Sequence, residues 1–127
     1  MIWGSGVDIV DTERIRQMID RHGERFLRKV FTPNEIAYCQ RGRNQHENFA
    51  ARVAAKEAGA KAVGTGWRQG VHWKNFEVEH ERSGKPVLIV YGRALEIMEE
   101  AGVVNSTLSL SHDGGLAVAH VILEVRD

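Results

Sequence analysis

The chain has 127 residues with 17 basic and 17 acidic side chains, so its formal net charge is zero, and 43% of its residues are hydrophobic. This length predicts a single domain, residues 1–127, and the neutral balance excludes a general attraction to nucleic acid or to an anionic membrane. Cys39 is the only cysteine, which excludes an intrachain disulfide. No segment resembles a signal peptide or reaches the ~20 apolar residues of a membrane helix. Together these features predict a cytoplasmic protein.

Hydrophobic periodicity predicts the elements of the first half of the chain. A short apolar strand with glycines occupies 2–10, and a stripe of apolar residues predicts one helix over 12–30. A Thr-Pro-Asn-Glu capping box predicts a second helix over 33–41. Asn48 is the expected N-cap of a long third helix, which Gly64 ends.

The second half alternates between strands and one further helix. The predicted elements are a strand with a central bulge at 71–81, a strand at 87–91, a helix at 93–101, and strands at 107–112 and 116–125. An Asp-Gly turn joins the last two strands. The order β-α-α-α-β-β-α-β-β predicts an α+β domain with a mainly antiparallel sheet.

The last predicted strand is apolar on both faces. Its two faces carry Leu116, Val118 and Ile122 on one side and Ala117, Ala119, Val121, Leu123 and Val125 on the other. A strand of this kind is covered on both faces. The chain's own helices or a partner subunit could provide the second cover, and the pattern alone does not decide between them.

The segment 48–66 combines charged and small residues in a pattern that suggests chemistry. Arg52 to Lys56 and Glu57 to Lys61 are both steps of four, so each pair is stacked on a helix surface. Most of the other helical residues are alanine or valine, and a Gly-Thr-Gly turn follows. A lone acid between bases at such a turn suits a metal-bridged phosphate ligand. An ordinary amphipathic helix with solvated ion pairs and a glycine C-cap fits the same spacing.

A family resemblance is carried by five segments in this order: GVDIVDTERI, FTPNEIAYC, ARVAAKEAGAKAVGTG, SGKPVL and SLSH. They resemble the holo-[acyl-carrier-protein] synthases, the small bacterial 4'-phosphopantetheinyl transferases. The resemblance implies that family's fold, a homotrimer and a role in fatty acid biosynthesis. It implies Mg2+-dependent transfer of 4'-phosphopantetheine from coenzyme A to a serine of apo acyl carrier protein, with release of adenosine 3',5'-bisphosphate. Trp67 departs from the family pattern, which more often has an aliphatic residue there.

The resemblance also implies roles for individual residues. Asp8 and Glu57 match the family's Mg2+ ligands, Lys61 would offset phosphate charge, and His112 would position the diphosphate or assist proton movement. Asp11, the other acid near the first strand, fits the start of a helix instead. The general base stays open between Glu57 acting through a metal-bound water, His112 and a group of the carrier. The expected coenzyme A contacts are Arg52, Lys56, Lys61, Gly64, Thr65, Gly66, Lys85, Pro86 and His112.

The predicted first helix carries a basic stripe. Arg14, Arg21, Arg25 and Arg28 are spaced by 7, 4 and 3, so they share one face of a continuous helix. Residues 12–56 contain ten basic side chains and five acidic ones, which makes this part locally basic. The stripe lacks interleaved aromatic residues, which favours an acidic helix over single-stranded nucleic acid as partner, and a solvated face is the alternative. Under the resemblance, the stripe docks the acidic acyl carrier protein.

Three other functions fit parts of the same pattern. The chemistry could serve a carrier domain of a polyketide or fatty-acid synthase, or the chain could be a non-catalytic module that binds a carrier or a nucleotide. A DNA binder with one basic helix is more distant. Asp8, Glu57 and Lys61 together disfavour the binding module, and the neutral charge disfavours DNA.

Overall fold

A long helix packed on a three-stranded antiparallel sheet organises the fold. The computed structural model describes residues 1–127 and contains, in chain order, β1 (Ile2–Asp11), α1 (Thr12–His22), α2 (Glu24–Val30), α3 (Pro33–Arg41), α4 (Gln45–Val63), a 3-10 turn (Trp73–Asn75), β2 (Phe76–His80), β3 (Pro86–Val90), α5 (Gly92–Ala101), β4 (Val103–Asp113) and β5 (Leu116–Val125). Strand β5 lies between β1 and β4, while β2 and β3 form a separate antiparallel pair. The predicted α+β class with antiparallel pairing is confirmed.

Two glycines let α4 lie directly against the backbone of β1. A Cβ atom on Gly6 would lie 2.1 Å from the carbonyl oxygen of Ala58, and one on Gly4 would lie 2.1 Å from that of Ala62. Thirteen of the nineteen residues of α4 are buried. The helix is therefore part of the core on nearly every side, and the amphipathic interpretation of this segment is wrong.

Three predicted boundaries differ from the structure for local reasons. The predicted helix over 12–30 breaks at Gly23, whose φ of 53° and ψ of −132° are not helical and whose N–H caps α1 by donating to Ile19. Helix α4 begins at Gln45, so Asn48 lies one turn inside it and is not its N-cap. Residues 73–75 form a 3-10 turn, so β2 is only five residues long and its pairing with β3 contains no bulge.

The two faces of β5 have different surroundings. The side chains of Ala117, Ala119, Val121 and Leu123 are buried on the face that α4 covers. On the outer face of the sheet, Ile9 and Val7 of the neighbouring strand β1 are 62% and 55% exposed, and Leu116 of β5 is 44% exposed. Val118 and Ile122 of β5 are only partly buried. The chain's own helix thus covers one face, and the other remains an open apolar surface of this chain. No helix of the protein is both long and apolar enough to cross a membrane.

Candidate active site

Asp8 and Lys61 meet where α4 crosses β1. The Lys61 Nζ atom donates to Asp8 Oδ1 at 2.9 Å and to the carbonyl oxygen of Val7 at 3.1 Å. The close approach at Gly6 brings this part of α4 against the strand, because a Cβ there would also lie 2.9 Å from the Cβ of Lys61. Asp8 is largely covered, whereas half of the Lys61 side chain is exposed. The ammonium group is therefore oriented by the protein and accessible to a ligand.

Glu57 lies one turn before Lys61 and completes this group. Burial and the nearby charge of Asp8 raise the pKa of Glu57 above its usual value, and Trp67, Lys61 and Arg14 offset part of that rise. The indole Nε1–H of Trp67 is buried and lies close enough to this carboxyl group to lower its pKa, although the two make no hydrogen bond of normal geometry. A carboxylate with a raised pKa gains when a cation binds beside it, since the cation replaces lost solvation.

The donor set of Asp8 and Glu57 fits Mg2+. Mg2+ prefers oxygen ligands and usually takes one or two carboxylates, with substrate phosphates and water completing its shell. No third His, Cys, Asp or Glu joins a cluster with them. Asp11 is occupied elsewhere, because its Oδ1 accepts from the backbone N–H of Glu13 at 2.9 Å and caps α1, as expected. The site therefore suits a metal that is shared with a bound phosphate.

Lys56 lies in the core, away from any ligand-accessible surface. Its side chain has no exposed area, and its Nζ atom lies 2.8 Å from Oε1 of Glu35. The same Nζ donates to the carbonyl oxygens of Trp73, at 3.2 Å, and Phe76. Burial lowers the pKa of Lys56, and Glu35 acts in the opposite direction. The prediction that Lys56 contacts coenzyme A does not fit this structure, because the ammonium group is enclosed and fully paired.

Arg52 is also buried but borders a cavity. Its guanidinium carbon lies 4.5 Å from the centre of the Tyr38 ring, and its Nε–H has no partner. The cavity has a volume of about 360 Å3, and its lining includes Arg41 and His80 together with one acidic residue, Glu79. Arg52 and Glu57 point about 140° apart around α4, since each residue adds about 100°. The structure therefore places Arg52 in a second, basic group of residues that does not contact the carboxylates.

The turn that carries Lys85 and Pro86 lies beside the Arg52 cavity. Pro86 pairs with His80 across the β2–β3 hairpin, and His80 lines that cavity. Gly84 adopts a φ of 91°, which glycine allows at low cost, and Lys85 at the tip of this turn is exposed. These two predicted coenzyme A contacts thus belong with Arg52 and lie apart from the Asp8 group.

The Gly64-Thr65-Gly66 turn uses most of its N–H groups to end α4. The N–H groups of Gly64 and Gly66 both donate to the carbonyl oxygen of Ala60, at 3.1 Å and 3.2 Å. The N–H of Thr65 donates to no acceptor in the chain. Of the three backbone groups expected to contact a nucleotide, Thr65 alone has its N–H free.

His112 lies at the other end of α4 from Glu57. Its Nδ1 atom is 3.7 Å from Oε2 of Glu47, in the first turn of the helix. Ten residues separate Glu47 from Glu57, which corresponds to about 15 Å along an α-helix. Within one chain, His112 is therefore not part of the Asp8–Glu57–Lys61 group.

The predicted basic stripe is divided by the break at Gly23. Arg14 and Arg21 lie on α1, whereas Arg25 and Arg28 lie on α2, so the spacing does not place them on one helix face. All four side chains are exposed, and only Arg28 has an acidic partner, Glu24 at 2.9 Å. The residues remain an open basic surface made by two helices.

An apolar cavity connects this basic surface to Glu57. It has a volume of about 210 Å3, and its lining includes Arg14, Met18, Phe26, Trp73 and Glu57. Sequence reasoning did not identify it as a site, because an apolar stripe on a helix predicts burial and not a binding surface. The one available signal was that Arg14 adjoins this stripe.

Comparisons with known proteins identify the family of the chain. The family model described as the 4'-phosphopantetheinyl transferase superfamily matches residues 4–119. A holo-[acyl-carrier-protein] synthase of Solibacter usitatus is 52% identical over 124 residues, covering 98% of this chain and 99% of the relative. The synthase of Koribacter versatilis is 51% identical with the same coverage.

Solved structures show the same likeness. The holo-[acyl-carrier-protein] synthase of Neisseria meningitidis superposes with a TM-score of 0.89 at 38% identity and covers 98% of this chain and 99% of its own. The synthase of Helicobacter pylori, solved in complex with coenzyme A, has a TM-score of 0.83 at 27% identity, with 94% and 99% covered. By sequence and by structure, the chain belongs to the 4'-phosphopantetheinyl transferase superfamily.

Proposed function

We propose that this protein transfers the 4'-phosphopantetheine group of coenzyme A to a serine hydroxyl of apo acyl carrier protein. The serine oxygen forms a bond to the β-phosphorus of the diphosphate, the bond to the bridging oxygen breaks, and adenosine 3',5'-bisphosphate leaves with the electron pair. The observation that carries the proposal is the grouping of Asp8, Glu57 and Lys61, two carboxylates and an oriented ammonium. Relatives of the chain named as holo-[acyl-carrier-protein] synthases support it.

Phosphoryl transfer requires positioning and charge neutralisation more than covalent chemistry from the protein. Asp8 and Glu57 would hold Mg2+, which supplies positive charge to the diphosphate. Lys61 donates to a phosphate oxygen and stabilises charge on the leaving group, because Asp8 and Val7 already fix its ammonium. Glu57 would accept the serine proton through an intervening water molecule.

The basic group of residues is the proposed site for coenzyme A. Arg52 lines a cavity of about 360 Å3 together with Arg41, and the positive charges of the two guanidinium groups suit a phosphate group. Lys85 and Pro86 border the same region. The free N–H of Thr65 lies about 20 Å further along α4, beyond Lys61, and would contact a different part of coenzyme A. Lys56 is left out of this site because it is enclosed in the core.

The basic surface on α1 and α2 is the proposed docking site for the carrier protein. Arg14, Arg21 and Arg25 have no acidic partner in the chain, so their charges are available to an acidic helix. The cavity with Met18 and Phe26 runs from this surface to Glu57. A carrier bound there would bring its serine to the carboxylate group.

We further propose that three subunits assemble through the open face of the main sheet. The exposed side chains of Val7, Ile9 and Leu116 form an apolar surface that a monomer would leave in water. A shared site would also explain why His112 and the Arg52 group are remote from Asp8 within one chain, since a neighbour could supply them. The single buried thiol and the use of coenzyme A favour the cytoplasm as compartment.

The test is incubation of the protein with coenzyme A, Mg2+ and a panel of apo carriers, followed by mass spectrometry of each carrier. The proposal predicts a gain of one phosphopantetheine group on free acyl carrier protein. Modification of synthase carrier domains alone would assign the same chemistry to a different partner. Binding of coenzyme A without any mass gain would identify a non-catalytic module instead.

A further inference from the structure

The rotation of α4 depends on a few directional contacts, one of which is the bond from Lys61 to Asp8 near its C-terminal end. Seven of its thirteen buried residues are alanine, and an eighth small residue, Gly59, lies against Phe76, where a Cβ would come within 2.9 Å of the ring. Small side chains allow close approach, but they form shallow ridges that interlock little with their neighbours. A helix packed in this way needs another feature to fix its angle about its own axis.

Lys56 supplies directional contacts at the middle of this helix. Its three N–H donors are matched by three acceptors: Oε1 of Glu35 at 2.8 Å, the carbonyl oxygen of Trp73 at 3.2 Å and that of Phe76. These acceptors belong to α3 and to the segment that leads into β2. The ammonium group therefore ties α4 to two other elements at one point.

Glu35 is held as firmly as Lys56. Its Oε1 accepts from the backbone N–H of Thr32 at 3.0 Å, and its Oε2 accepts from that of Val78 at 2.9 Å. The side chain of Thr32 donates to Glu77, which also accepts from the hydroxyl of Tyr91 at 2.9 Å. Glu77 is buried like Glu35 but makes no hydrogen bond with α4. The network thus has one carboxylate that contacts α4 and one that does not.

We propose that the Glu35–Lys56 pair positions Glu57 by fixing the rotation of α4 against β1. This inference rests on the proposed function, in which Glu57 and Asp8 hold the metal. A rotation of about 20° would move the Glu57 Cα by about 0.8 Å, since helix Cα atoms lie about 2.3 Å from the axis, and it would move the carboxylate further. A misplacement of about 1 Å in a catalytic group can cost about 100-fold in rate.

Stability alone does not require this pair. Buried ion pairs replaced by apolar residues of similar volume often leave stability unchanged or increased, because the desolvation of two charges offsets their attraction. The role of the Glu35–Lys56 pair is therefore positioning: Lys56 directly precedes Glu57 in the chain, so a contact that fixes Lys56 also fixes the orientation of Glu57. Glu35 and Lys56 themselves touch neither substrate nor metal.

Two isosteric variants separate positioning from a general structural role. Glu35→Gln and Glu77→Gln each neutralise one buried carboxylate of the same network, and both should lower Tm. Only Glu35→Gln should weaken Mn2+ binding, measured by electron paramagnetic resonance with coenzyme A present, by tenfold or more. Only this variant should raise the Mg2+ concentration for half-maximal transfer and lower kcat by tenfold or more, with the KM for the carrier unchanged.

Other results of these experiments would contradict the inference or the proposed function. Equal losses of Mn2+ affinity in both variants, or wild-type affinity in Glu35→Gln, would overturn it. If Glu35→Gln does not fold, the double variant Glu35→Gln/Lys56→Met replaces it, because this variant leaves no unpaired buried ammonium. The same losses of Mn2+ affinity and kcat are expected for it. A wild type that binds Mn2+ but transfers nothing would refute the proposed function while the Mn2+ contrast still tests positioning. A wild type that binds no Mn2+ would overturn the inference, whereas the proposed function would still be tested by the mass gain on the carrier.

Discussion

Replacing Gly6 with alanine should disturb both the fold and the site, because this glycine sets the distance between α4 and β1. The added Cβ would lie 2.1 Å from the carbonyl oxygen of Ala58 and 2.8 Å from the backbone nitrogen of Ala62. Both neighbours are backbone atoms, so no side chain can rotate away. The helix and strand must separate by about 1 Å to restore van der Waals contact.

The expected effects follow from that displacement. Overpacking of this kind costs about 1–3 kcal/mol, which corresponds to a fall in Tm of roughly 5–15 °C for a chain of this size. Asp8 lies two residues further along β1 and bonds to Lys61, so transfer should also fall by about 100-fold. Thermal melting and single-turnover transfer measure the two effects.

A matched variant provides the control for Gly6→Ala. In Gly4→Ala the added Cβ would lie equally close, 2.1 Å, to the carbonyl oxygen of Ala62 at the C-terminal end of α4. Gly4 is further from Asp8 along β1 than Gly6 is. It should lower Tm to a similar degree and reduce transfer less. A Gly6→Ala protein with wild-type Tm and wild-type transfer would refute the close packing on which the site geometry depends.

Four further outcomes are expected. Because the pKa of Glu57 is raised, protonation of Glu57 stabilises the fold, and this contribution is lost as pH rises through the folded-state pKa. Glu57→Gln should therefore raise the Tm of the metal-free protein at neutral pH. It should have no effect on Tm below the pKa of an ordinary glutamate. Reversal of Arg21 and Arg25 to glutamate should raise the KM for the carrier and leave that for coenzyme A unchanged, with an effect that shrinks as salt increases. Light scattering should show that Ile122→Asp, on the open face, dissociates the proposed trimer while the subunit stays folded, whereas Val121→Asp, with no exposed area, should unfold the subunit. The one cysteine, fully buried and with its pKa raised by burial to about 11, should react with thiol reagents only at the rate of unfolding.

Local sequence signals predicted most elements because they act over a few residues. The capping box at Thr32 and Glu35 forms as expected, and Gly64 and Gly102 end their helices in the left-handed conformation. Gly23 was missed because the apolar stripe continues through it, and a glycine inside a periodic pattern predicts a break only weakly. Strand β4 begins at Val103, earlier than predicted, because Asn105 and Ser106 interrupt its apolar pattern and its register with β5 shifts between Val103 and Asn105.

The site was predicted where chemistry depends on residue type and missed where it depends on burial. Asp8, Glu57 and Lys61 were identified by the family motifs, and the structure brings them together. Lys56 matches the same motif, but its spacing could not show that Glu35, twenty-one residues earlier, encloses it in the core. Long-range pairing of this kind leaves no periodic trace in a sequence.

The most direct measurement is the rate of mass gain on apo acyl carrier protein with wild type, Asp8→Asn and Glu57→Gln at limiting Mg2+. Melting curves of the three proteins serve as the control for folding. Wild type should add one phosphopantetheine group to each carrier, and each variant should be slower by about 100-fold or more while it remains folded, because it lacks an anionic ligand. An unmodified carrier with wild type, or wild-type rates in either folded variant, would contradict the assignment of Asp8 and Glu57 as the metal-binding pair of a phosphopantetheinyl transferase.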